Sequence, residues 1–138
     1  MNIVEKLLKL DAGLLTVPTK EVKIERLSEL LGEDVTFTCN SISLDDYSEI
    51  QNNSIILDKK GNIKGYNTGG MQLEMVLAGV PEIKSKELLA HFNAITPKEL
   101  LKNPKLFLPG DVAALANAVS ELSGVSEIEK ADEEIKNS

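Results

Sequence analysis

Between residues 3 and 10 the apolar side chains Ile3, Leu7 and Leu10 recur at spacings of four and three, flanked by Val4 and Leu8. That period puts them on one face of a short amphipathic helix, with Asp11-Ala12-Gly13 as its stop signal. Leu14 to Pro18 reads as a connector, because Pro18 has no backbone donor and biases Val17 towards extended geometry. The period then changes to two. Glu21 to Arg26 alternates charged and apolar residues, with Val22 and Ile24 on one face, and Asp34 to Asn40 repeats the alternation with Val35, Phe37 and Cys39. Alternation rich in β-branched residues predicts two half-buried strands, paired antiparallel, joined by a loop or a single helical turn at Leu27 to Glu33.

From Ser43 the helical period returns. Ser43 suits an N-cap, Asp45 and Asp46 complement the dipole of the first turn, and Leu44, Tyr47 and Ile50 form a stripe. Residues 54–67 read two ways. Ile55, Leu57 and Ile63 flank the turn signal Asp58-Lys59-Lys60-Gly61-Asn62, which suits either a small hairpin or a loose excursion. Thr68-Gly69-Gly70 reads as a break before a helix carrying Met71, Leu73, Met75, Val76, Leu77 and Ala78, ended by Gly79 and Pro81. Ser85 to Phe92 forms a short helix with Leu88, Leu89 and Phe92 inward. The next helix opens on the capping box Thr96-Pro97-Lys98-Glu99 and stops at Asn103-Pro104. The clearest helix follows Leu108-Pro109-Gly110-Asp111, with Val112, Leu115, Val119 and Leu122 on one face and Gly124 as its C-terminal cap.

This pattern predicts an α+β fold, mainly helical with one N-terminal antiparallel β-hairpin, in a single domain over residues 1–124. Residues 125–138 carry five acids against Lys130 and Lys136, and only Ile128, Ala131 and Ile135 share a face. They read as an acidic, mobile tail.

Composition narrows the function classes. With 138 residues and 42% hydrophobic side chains, the chain can bury a sizeable core. Its formal charge of −7, from 15 Lys and Arg against 22 Asp and Glu, argues against nucleic-acid binding and against a polybasic membrane anchor. No apolar run approaches the ~18–20 residues that span a bilayer, and Glu5 interrupts what a signal peptide would need. A soluble cytosolic protein is the expectation. Cys39 and His91 are the only residues of their types, which rules out an intrachain disulfide and makes structural zinc a poor fit.

Each candidate for chemistry has a plainer explanation. Thr68-Gly69-Gly70 before a helix could cradle a phosphate, yet no Gly-Lys-Ser/Thr follows, so it reads as a turn. Asp58 to Asn62 has a faint calcium-loop look, but Lys60 sits at a donor position and Gly69 stands where the distal Glu belongs. Asp45 and Asp46 are first-turn acids pointing in different directions. His91 has no nucleophile motif beside it, and Cys39 on an apolar strand face reads as a core residue. No catalytic, cofactor or metal residues are assigned, and the weight moves to binding. The apolar faces of Met71 to Val80 and Val112 to Leu122 are the candidate partner surfaces, with core packing as the default.

The order of segments carries a resemblance. KEVKIERLSELLGEDVTFTC at residue 20, DDYSEIQ at 45, MQLEMVLAGV at 71, KELLAHFNAITPKELLKN at 86 and LFLPGDVAALANAVSELSGV at 106 together resemble the XkdN-like phage tail assembly chaperones. The likeness covers about residues 5–125 and is most specific at Thr96-Pro97-Lys98-Glu99-Leu100, Leu108 to Val112 and Ser120 to Gly124. Asp111-Val112 stands where Glu-Ile is expected, a change without chemical consequence. The resemblance implies a non-enzymatic protein of the bacterial host cytoplasm. It would bind the tape measure protein, a long helix with exposed apolar stripes, and keep it soluble while the tail tube forms. The tail-tube protein is a further implied partner, and homo-oligomerisation stays open. A structural virion component, such as a tail-tube or head–tail completion protein, is the alternative; it calls for more β-structure. A small enzyme would need convergent titrating groups that the sequence does not offer.

Overall fold

The N-terminal strand pair and the helix over residues 109–122 form the centre of the described structure. In the computed structural model, which describes residues 2–125, β1 (Thr19–Lys23) runs antiparallel to β2 (Thr36–Asn40). The register sets Thr19 opposite Asn40, Val22 opposite Phe37 and Lys23 opposite Thr36. The alternation in β2 is realised: Phe37 and Cys39 are buried and Val35 is half-buried. On these strands packs α7 (Pro109–Leu122), which also lies against α4 (Thr68–Gly79). Leu115 and Val119 of the predicted stripe are fully buried, and Val112 and Leu122 half-buried.

One glycine lets these layers meet. A Cβ on Gly79 would lie 2.6 Å from Val119 Cγ2 and 2.9 Å from the Asn40 carbonyl oxygen, so only hydrogen fits between α4, α7 and β2. Around this contact Val76, Val80, Ile83 and Leu100 complete a fully buried set. The outward edge of β2 is occupied as well. Glu82, in the 3₁₀ turn Pro81–Lys84, accepts a hydrogen bond from the Thr38 N–H at 2.9 Å.

The expectation of a single N-terminal hairpin is corrected in two ways. First, β1 ends at Lys23, and α2 (Glu25–Leu31) replaces the predicted end of the strand and is longer than the loop or single helical turn expected after it. Leu27, Leu30 and Leu31 hold a helical spacing that the charged–apolar alternation just before them obscures. Ser28 fastens the helix in place: its hydroxyl donates to the Ile24 carbonyl at 2.9 Å and accepts from the Val35 N–H at 2.8 Å. Gly32, at φ 81°, closes the helix.

Second, residues 54–67 form a sheet of their own, β3 (Ile55–Leu57) with β4 (Ile63–Tyr66), and the described residues hold two separate two-stranded sheets. The turn holds it. Asp58 Oδ1 accepts from the Lys60 and Asn62 N–H groups at 2.9 Å each, and Gly61 takes φ 84°. Ile56, Leu57, Ile63 and Tyr66 all stay exposed. With no buried face there is no alternation to read, and the register shifts between Ile56 and Leu57.

The remaining helices follow their caps. In α3 (Leu44–Asn53) the Ser43 hydroxyl accepts from the Asp46 N–H at 3.1 Å, but Leu44 points outward and only Ile50 of its stripe is buried. Thr68-Gly69-Gly70 is the first turn of α4 and not a break, because the Asn67 side chain caps the Gly70 N–H at 3.0 Å. α5 (Lys86–His91) is followed by α6 (Pro97–Leu101), where Thr96 caps Glu99 and the Glu99 carboxylate reaches back to the Ile95 N–H at 2.8 Å. Gly124 lies at φ 75° after α7. Of the expected tail at 125–138, all but Val125 lies outside the described residues.

The N-terminal helix α1 (Ile3–Leu8) forms as predicted but ends two residues earlier. Every residue from 2 to 20 is exposed. No described helix is long and apolar enough to cross a membrane.

Candidate partner-binding surface

An open groove of about 400 Å³ runs between α2 and α5. One wall is Leu27, Leu30 and Leu31 of α2; the other is Leu88 of α5 with Phe92 just beyond it. Val35 and Phe37 of the strand region and Leu106 and Phe107 of the segment before α7 complete the lining. Leu30 is 74% exposed and Leu31 63%, so the apolar wall faces solvent.

The groove is braced from beneath. Phe37 and Phe107 pack with ring centroids 5.6 Å apart. The Arg26 guanidinium donates through Nη2 to the Lys105 and Leu106 carbonyls at 3.0 and 2.9 Å, tying α2 to the segment leading into α7. A cation meets two backbone carbonyls there, a strong form of hydrogen bond that sets the wall's position. Chemically, the site can bury apolar surface against a partner.

The other candidate residues resolve one by one. Cys39 is fully buried beneath α7, with its Sγ 4.0 Å from the Leu115 carbonyl. Burial pushes its thiol up to about 11, helped by the negative charge of Glu82, so it is no reactive thiolate. His91 is exposed at the end of α5, edge-on to the Phe92 ring at 4.8 Å. Asp45 and Asp46 lie in the first turn of α3, where Asp46 lines a shallow cleft with Glu49 and Glu74; the described residues contain no cluster that could hold a metal. Asp58 spends its carboxylate on the turn, and the Gly70 amide is taken by Asn67. The structure does not bring these groups together.

Residues 4–136 match the family model described as phage XkdN-like tail assembly chaperone protein. The chain belongs to this family. No curated protein matches it. The crystal structure of the protein yqbn is similar in fold, with a TM-score of 0.54 at 23% identity over 83% of this chain and 92% of that one.

For this tail assembly chaperone family member, the sequence offered the apolar faces of Met71 to Val80 and Val112 to Leu122 as partner surfaces, with core packing as the default, and core packing is what the described residues show. The candidate faces of α4 and α7 are core: Met75, Val76 and Gly79 are buried in one, and Leu115, Ala116, Ala118 and Val119 in the other. The groove escaped notice because its residues come from segments far apart in sequence. Its one local signal was Leu27, Leu30 and Leu31 at helical spacing.

Proposed function

We propose that this tail assembly chaperone seats an apolar helical segment of the tape measure protein in the groove between α2 and α5. It thereby keeps that protein soluble during tail-tube assembly, without catalysing a reaction, in the host cytoplasm. The supporting observation is the groove itself. A solvent-facing, leucine-lined trough on a folded acidic domain is what an amphipathic helix needs for its apolar face. The chain's net charge of −7 favours solubility of the complex.

Co-expression with the tape measure protein of the same genome tests the reading. Wild-type chain is expected to carry it into the soluble fraction and co-purify. Leu31→Glu, which puts a charge on an already exposed wall residue, is expected to fold normally and lose the complex. A tape measure protein that stays insoluble with wild type, or rings and tubes of this chain alone, would contradict the reading.

A further inference from the structure

We propose that α1 of one copy occupies the groove of a second copy, reciprocally, so that the free protein is a two-fold dimer. Among the described residues, α1 presents a convex apolar surface and the α2–α5 groove a concave one, and no described residue covers either. On α1, Ile3, Val4, Leu7 and Leu8, with Leu10 beyond, are each more than half exposed. At 100° per residue Ile3, Leu7, Val4 and Leu8 fall within an arc of about 140°, one broad apolar stripe. A six-residue helix with such a stripe is too short to persist in water by itself, so its order calls for a partner.

The path of the chain argues that the partner groove belongs to another copy. The connector after α1 joins β1 at Thr19, which pairs with Asn40. It is pinned there, the Ser41 N–H donating to the Pro18 carbonyl at 2.9 Å. Leu15 to Pro18 run beside Ser41 to Ser43. The groove lies at the opposite end of the strand pair, around Val35 and Phe37. In the described structure α1 is exposed throughout, and none of its residues lines its own groove.

Reciprocal exchange covers both surfaces of both copies and closes the assembly, whereas one-way docking would leave a free helix and a free groove at its ends. Two helix-in-groove contacts bury on the order of 1,200 Å² in total, the lower bound of a standard specific interface. This dimer concerns the free protein and does not depend on the tape-measure reading; where that reading holds, α1 is the occupant that the partner displaces.

Two exposed positions allow a direct test in the full-length chain. Leu7→Cys and Leu30→Cys are purified separately, mixed and exposed to a mild oxidant. Cys39 is fully buried and stays silent. A disulfide-linked pair joining the two variants, at least tenfold above the self-linked pairs, is expected. Light scattering should give twice the monomer mass for wild type and the monomer mass for L7E. Monomer mass for wild type at tens of micromolar would overturn the proposal. So would an internal link in the L7C/L30C double variant, which would place α1 in its own groove, or a mass beyond the dimer, which would exclude reciprocal closure. The co-expression experiment reads a different partner, so either result can fail without the other.

Discussion

In α7 the apolar positions 115 and 119 sit between α4 and the strand pair, while in α1 the equivalent positions 3 and 7 sit in solvent. Both helices have a cap, a stripe and a stop. α1 is capped by the Asn2 side chain on the Glu5 N–H, and α7 by the Asp111 carboxylate on the Leu108 N–H. The difference lies outside the helices. α7 meets a neighbour shaped to receive it, down to the missing side chain at Gly79, and α1 is left exposed throughout. Periodicity fixes which face is apolar; the partner of that face is a property of the rest of the chain or of another chain.

That contrast can be broken at graded points. Leu115→Asp should have the largest effect, placing an unpaired charge in the fully buried middle of the stripe and abolishing the cooperative thermal transition. A wild-type melting temperature would show that α7 is not packed as described. Gly79→Ala should cost about 1–3 kcal/mol in denaturant unfolding, because the new methyl meets Val119 and the Asn40 carbonyl. Adding Val119→Ala to it should cost less than the two changes summed, and strict additivity would mean the two residues do not touch.

Cys39 under α7 gives a weaker, pH-dependent signal. Its folded pKa, near 11, lies above its ordinary value of 9.0. The unfolded chain therefore releases the thiol proton first, and this contribution to stability is whole below pH 9 and lost as the pH rises towards 11. Cys39→Ala should flatten that part of the alkaline stability curve relative to wild type; identical curves would contradict the burial. Leu7→Asp should have the smallest effect. In dilute solution, with the chain monomeric, its unfolding free energy should stay within ~0.5 kcal/mol of wild type, as for a surface site. A large loss would mean α1 packs on its own domain.

Much of the fold was legible where one face of an element is buried and its ends are chemically marked. β2 is such a case, with Phe37 and Cys39 inward, and so are α6, opened by Thr96-Pro97, and α7. The β3–β4 sheet was legible only in its Asp58 to Asn62 turn, which left a small hairpin and a loose excursion both open, because its apolar residues remain outside and no buried face marks the strands. α2 was hidden by a strand-like alternation that runs directly into it. The groove was least legible of all, since the Arg26 bond to Lys105 and Leu106 and the Phe37–Phe107 contact that build it join residues about 70 to 80 positions apart. No local pattern encodes such a pairing.

The central claim is that the α2–α5 groove, and not the buried stripes of α4 and α7, receives the partner helix. Chemical-shift mapping of the full chain against amphipathic segments of the tape measure protein tests it most directly. The account predicts perturbations concentrated on Leu27, Leu30, Leu31, Leu88 and Phe92, saturating with peptide and lost in Leu31→Glu. Perturbations centred on the exposed β3–β4 sheet, or a response that Leu31→Glu leaves unchanged, would contradict it.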